Sequence, residues 1–297
     1  MIVITGSESF VGKELMKQCK KKNISFIGID SIEVKNADYV YHQLDIRDSK
    51  INEIIPSNVD AIIHLAALSR DADCKGKGFE CFDVNVMGTL NLIRAAKLKN
   101  VKQFIFASSE WVYNEFIDDE EKDEDSVIDI SKYSSEYAFS KIVSEINLKQ
   151  QFLNMFCSVT ILRFGIIYGP RKNNWSAVES IFNEIKNETK IEISSLKNGR
   201  RFIHVTDIVN GIIKSIGLNG FNVLNLTGDY LITMKKLISE SEKIFCKKVL
   251  VIERHQTVKD VRNPSNQKAK QVLNWKPEIS LEEGLMSINN FLKMDKI

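Results

Sequence analysis

The sequence predicts an α/β fold: a doubly wound parallel sheet followed by a smaller C-terminal α/β domain. Three observations carry this. Short apolar runs alternate with amphipathic stretches from the first residue, the runs are apolar on both faces, and a glycine-bearing turn joins the first run to the first helical pattern. In order, "MIVIT", "ISFIGID", "DAIIHLA", "QFIFAS" and "SVTILRF" read as buried strands. A strand apolar on both faces needs cover on both sides. Stretches such as "FVGKELMKQCKKK" and "NVMGTLNLIRAAKLK" supply it as crossover helices of right-handed βαβ units. This pattern runs over residues 1–170, and the chain is expected to return to that domain around 201–227. After "YGPR" the elements become shorter and more polar, which marks a second domain over 171–297 with "LEEGLMSINNFLK" as a helix. The biased tract "DDEEKDED" (Asp118 to Asp125) reads as a solvated loop.

Composition narrows the function classes. A net charge of +2 gives no reason to expect a nucleic acid or an anionic membrane as partner. The five cysteines form no CxxC pair and lie away from the four histidines, so no metal site is expected. Reduced thiols, an N-terminal apolar run too short for a signal peptide and the lack of a membrane-length segment point to a soluble cytoplasmic protein.

"TGSESFVG" (Thr5 to Gly12) ends the first strand and opens the first helix. Gly6 allows the tight turn and Gly12 lets the helix pack close to the sheet. The helix N-terminus, at Ser9, Phe10 and Val11, offers its amides to a pyrophosphate. Ser9 stands where the usual pattern has its middle glycine, which weakens the motif. The second strand ends in Asp30, where a carboxylate can bind both ribose hydroxyls and repel the extra phosphate of NADP. NAD is therefore the expected cofactor, with Asp45 and Ile46 as adenine contacts.

"YAFSK" sets Tyr137 and Lys141 one helical turn apart on one face. A free tyrosine, with a pKa of about 10, is a poor base at neutral pH; a fall of about 3 units corresponds to roughly 4 kcal/mol. A nearby ammonium and a positive nicotinamide ring both act in that direction.

In order and spacing, "TGSESFVG", "HLAA", "NVMGT", "SSEWVY", "YAFSK", "LRFGIIYGPR", "RRFIHVTD" and "LNWKPEISLEEGL" resemble the extended short-chain dehydrogenase/reductases, the Rossmann-fold nucleotide-sugar epimerases and dehydratases. The resemblance covers essentially the whole chain. It implies that Tyr137 is the base, that Lys141 holds the nicotinamide ribose and lowers the Tyr137 pKa, and that Ser109 binds the reacting oxygen. It also implies cofactor contacts from Leu65, Ala66, Ala67 and Asn85, and substrate contacts from Trp111, Arg200 and Arg262. Arg200 would pair with the substrate pyrophosphate. His204 is expected to be structural. A homodimer joined by helices around Asn85 to Leu98 and Tyr137 to Leu148 is the implied assembly. Ile166 departs from the family, which often has asparagine there to help hold the substrate.

The expected activity is a nucleotide-sugar 4-epimerase working by transient oxidation at C4. Alternatives on the same scaffold are 4,6-dehydration, decarboxylation or net C4 redox, with a non-catalytic NAD-binding regulator more remote. "SSEWVY" bears on the choice. Dehydratases and decarboxylases of this family commonly hold a glutamate two residues after the catalytic Ser or Thr, where this chain has Trp111. Glu110 is the adjacent candidate for proton transfer, or a surface residue beside a site that works without it.

Overall fold

A computed structural model describes residues 1–173 and 175–294, so the last three residues of the expected second domain lie outside it. The chain forms two compact units. The first comprises 1–114, 127–163 and 209–224; the second comprises 115–126, 164–208 and the chain from Asn225 onward.

The first unit is built on a seven-stranded sheet. Its strands include β1 (Ile2–Thr5), β2 (Phe26–Asp30), β3 (Val40–Gln43), β4 (Ala61–His64), β5 (Gln103–Ser109) and β6 (Ser158–Phe164), with Phe221–Leu226 beyond β6 at the edge. All five apolar runs form the strands expected of them. The edge strand was not among them, because "FNVLNL" alternates with asparagines and lacks a continuous apolar run. From β1 the chain moves outward to β2 and β3, then returns to place β4 on the other side of β1. That reversal makes a crevice at the carboxyl ends of β1 and β4, the usual ligand position in such sheets. Parallel register brings Thr5 level with both Ile29 and His64, and His64 level with Phe106. The ends of β1 and β4 therefore lie level, while β2 runs on to Asp30 and β5 to Ser109.

Helix α1 (Phe10–Lys21) buries Leu15, Met16 and Cys19. The second expected helix is irregular at its start: Asp83–Met87 is a π-helical turn that runs into the α-helix Gly88–Leu98. The apolar core gathers Val3, Ile29, Ile62, Phe104, Phe106 and Ile161 with Leu92 and Leu148 from the helices.

In the second unit, the helices Ala177–Asn187, Met234–Phe245 and Leu281–Met294 bury Phe182, Leu237 and Leu285 in a separate core. Ile166 packs against this core, so the residue standing where the family often has asparagine is held by apolar neighbours. The acidic tract is largely exposed but is not loose. Lys122 exchanges backbone hydrogen bonds with Asn263 and Ser265, Glu121 pairs with Arg201 at 2.5 Å, and Glu124 accepts from the Asn225 amide at 2.6 Å. Among the described residues no helix is long and apolar enough to cross a membrane.

Candidate active site

The turn after β1 is made by glycine for steric reasons. Gly6 has φ +71°, and a Cβ there would stand 2.6 Å from the Ala66 nitrogen. At Gly12 a Cβ would stand 2.3 Å from the Gly6 carbonyl oxygen. Ser9, the departure from the glycine pattern, caps α1: its hydroxyl accepts from the Gly12 amide at 3.0 Å. The serine thus exchanges backbone freedom for a cap that holds the helix start, with Phe10 and Val11 in its first turn. Asp30 accepts from the Glu8 amide at 2.9 Å, which ties the end of β2 to this turn.

Leu65, Ala66 and Ala67 follow β4 and remain partly exposed beside the turn. Asn85 holds the continuation of this loop. Its amide accepts from the Leu68 nitrogen at 2.8 Å and donates to the Leu68 carbonyl and the Ser140 hydroxyl, both at 3.0 Å. Beneath lies a buried chain of polar groups that motif reading missed: Thr5, His64 and Thr89 in sequence, at 2.8 and 3.0 Å. The adenine-contact expectation meets two engaged groups. Asp45 is paired with Arg47 at 2.7 Å, and Ile46 buries its side chain in the core while its carbonyl accepts from Asn91 at 2.8 Å.

Where β5 ends, Ser109 caps a short 3-10 turn, Glu110–Tyr113. Tyr137 and Lys141 come from the helix Glu136–Leu153, which Ser135 caps by accepting from the Ala138 amide. Tyr137 is buried in an apolar cluster with Cys74, Cys81, Leu68 and Trp111. Burial pushes its pKa up to about 12; a hydrogen bond with Ser109 pulls it down, while the nearby Cys74, Cys81 and Glu110 side chains add smaller upward pushes. Lys141 is buried, donates to the Ala107 carbonyl at 2.8 Å, and lies 5.9 Å from the centre of the Tyr137 ring. Burial brings the lysine down to about 8. The lowered tyrosine pKa expected from the sequence is therefore not a property of these side chains by themselves: burial outweighs the Ser109 hydrogen bond. Glu110 is fully buried. The surface reading of this residue is thereby corrected, since the 3-10 turn folds it inward within electrostatic reach of Tyr137.

The cradle fits a dinucleotide. Two glycines stand where a Cβ would collide with the backbone, a capped helix points its positive end at the turn, and a carboxylate closes the second strand. Comparison with known proteins agrees. Residues 2–223 match the family model of the NAD dependent epimerase/dehydratase family. The chain belongs to this family. Members are NAD-dependent enzymes acting on nucleotide sugars, and NAD is the cofactor. The chain is 26% identical to a UDP-glucuronate 4-epimerase of Thermodesulfobacterium geofontis, over 98% of this chain and 95% of that one. It is 28% identical to a dTDP-D-glucose 4,6-dehydratase of Dictyostelium discoideum, over 81% of this chain and 62% of that one. In fold it is similar to the UDP-glucose 4-epimerase of Thermotoga maritima solved with UDP-glucose, with a TM-score of 0.86 at 22% identity, covering 100% and 99% of the two chains.

The remaining expected residues lie in the second unit. Arg200 and Arg262 occupy neighbouring strands and are direct register partners. Arg200 also pairs with Asp260 at 2.5 Å. No motif announced this pairing, because 62 residues separate the two arginines in the chain. His204 is buried against Tyr168, edge to face, with Ser287 at 3.3 Å, a structural setting.

Proposed function

We propose that this protein is an NAD-dependent nucleotide-sugar 4-epimerase with Tyr137 as the proton-transferring residue. The observation that carries the reading is the convergence of Ser109, Tyr137 and Lys141 on one buried patch at the end of β5, with an indole rather than a carboxylate at position 111. Bound NAD supplies a reversible two-electron acceptor and, when oxidised, a positive ring. Gly6, Ser9, Phe10, Val11 and Gly12 would hold its pyrophosphate, Asp30 its adenosine ribose, and Lys141 its other ribose. Leu65, Ala66, Ala67, Asn85, Asp45 and Ile46 would complete the contacts.

In this scheme Ser109 holds the C4 oxygen of the sugar, and Tyr137 takes the hydroxyl proton and later returns it. From a pKa of about 12, phenolate at neutral pH needs about 5 units, or roughly 7 kcal/mol, of stabilisation by positive charge. That value already holds with Lys141 in place, so the remaining stabilisation would come from the positive ring of oxidised NAD. Arg200 and Arg262 would bind the substrate diphosphate, since two guanidinium groups offer forked donors to its oxygens. An indole donates one N–H and accepts no proton, so Trp111 shapes the pocket without serving elimination.

A second reading, 4,6-dehydration or another C4-initiated lyase reaction, is favoured by one observation: Glu110 is fully buried beside Tyr137. Mass spectrometry of products from a panel of nucleotide sugars separates the two. With chromatographic separation before the mass measurement, a second peak of unchanged mass is expected, and a product lighter by water or by carbon dioxide overturns the epimerase reading. A homodimer is part of the proposal. Met87, Leu98, Phe139, Ile146 and Leu153 are exposed apolar side chains on the π-turn and the two helices expected at the interface. Light scattering at micromolar concentration should give twice the chain mass, and a monomer would refute it. Cytoplasmic location is proposed from the five free cysteines.

A further inference from the structure

Arg163 interrupts the apolar run of β6, yet it is buried. A buried guanidinium needs a partner, and Arg163 has Glu145 in a forked pair at 3.1 and 2.7 Å. Glu145 lies one helical turn beyond Lys141 and two beyond Tyr137, so the three carboxylate, ammonium and phenol groups form one stripe. Its carboxylate also accepts from the Ser108 hydroxyl at 2.5 Å. On its other side Arg163 donates to the Tyr113 hydroxyl at 3.1 Å and lies over that ring.

The segment between Ser108 and Tyr113 contains Ser109, Glu110 and Trp111. Both of its ends are thus tied to one ion pair: Ser108 through Glu145, and Tyr113 through Arg163. The next strand residue back, Ala107, receives Lys141. Helix and strand are linked at successive turns and residues, which sets the register between Tyr137 and the Ser109 hydroxyl.

We propose that Glu145 and Arg163 are positioning residues: their pair clamps Ser108 and Tyr113 and so holds Ser109 and Glu110 in register with Tyr137. This rests on the proposed chemistry at Tyr137. A displacement of about 1 Å at such a site costs on the order of 10²-fold in rate.

Two variants test it. Ser108→Ala removes one tie without leaving a charge unpaired, and Glu145→Leu/Arg163→Met replaces the pair with apolar groups, which buried sites commonly tolerate. Hydrogen–deuterium exchange is read across the chain, with kcat and KM measured on any nucleotide sugar that the wild type converts and Tyr137→Phe does not. Exchange at residues 109–113 should quicken about 10-fold while the rest of the sheet is unchanged. The kcat should fall about 10- to 100-fold with KM within about twofold, and Ser108→Thr should restore much of it. Unaltered exchange at 109–113 in both variants overturns the proposal, as does wild-type kcat in the folded double variant. If the wild type converts no nucleotide sugar, the proposed function fails, and exchange alone decides the clamp.

Discussion

His64 should make stability fall with acid in a way that one substitution removes. The residue is buried, and its surroundings decide its tautomer. Thr89 spends its hydroxyl proton on the Asn85 carbonyl at 2.6 Å, so His64 must donate to Thr89 from Nε2 at 3.0 Å. Its Nδ1 then accepts from Thr5 at 2.8 Å. The neutral ring satisfies both partners. Burial, followed by the Lys141 charge, lowers the histidine from 6.5 to about 3. Because the folded value is depressed, the unfolded chain binds a proton below pH 6.5 that the folded chain refuses. Stability from this group is complete above 6.5 and is lost as pH falls toward 3. Between pH 8 and pH 5 the loss is about 2 kcal/mol, nearly independent of whether the folded value is 3 or 4. Urea unfolding at both pH values, for wild type and His64→Gln, reads it as the difference in slope with pH. Glutamine can accept from Thr5 and donate to Thr89 without titrating. An equal acid loss in both proteins would refute the reasoning. The effect bears on the site because Thr5 precedes Gly6 and His64 precedes Leu65, the two loops of the cofactor cradle.

Tyr137→Phe should lower turnover about 10²- to 10⁴-fold with little change in NAD affinity; retained turnover would remove Tyr137 from its role. With the tyrosine at about 12 by burial, ultraviolet titration of the cofactor-free protein against this variant should reveal no extra phenolate at neutral pH. Asp30→Ala should weaken NAD and narrow its preference over NADP, measured by calorimetry with both; tighter NADP binding by the wild type would overturn the assignment. Arg200→Ala should raise KM about 10- to 100-fold, the worth of a charged hydrogen bond, with a smaller change in kcat. Equal losses in kcat and kcat/KM would instead place the arginine in the chemical step.

The sheet and its family were legible because their signals are local. An apolar run bounded by turns has few alternatives to a buried strand, and Gly6 and Gly12 are required by backbone contacts that no other residue permits. The Tyr137–Lys141 spacing is likewise a property of one helix. What the sequence left open depends on groups far apart in the chain. Whether Glu110 faced water or protein was decided by the short turn after β5. The direction of the Tyr137 pKa followed from burial among Cys74, Cys81 and Trp111, which no spacing announces. Glu145 extends the helical stripe and Arg163 breaks an apolar run, so each was visible as an oddity; only tertiary packing made them partners. Charges and hydrogen bonds act over a few ångströms, and the fold alone sets which residues lie within that range.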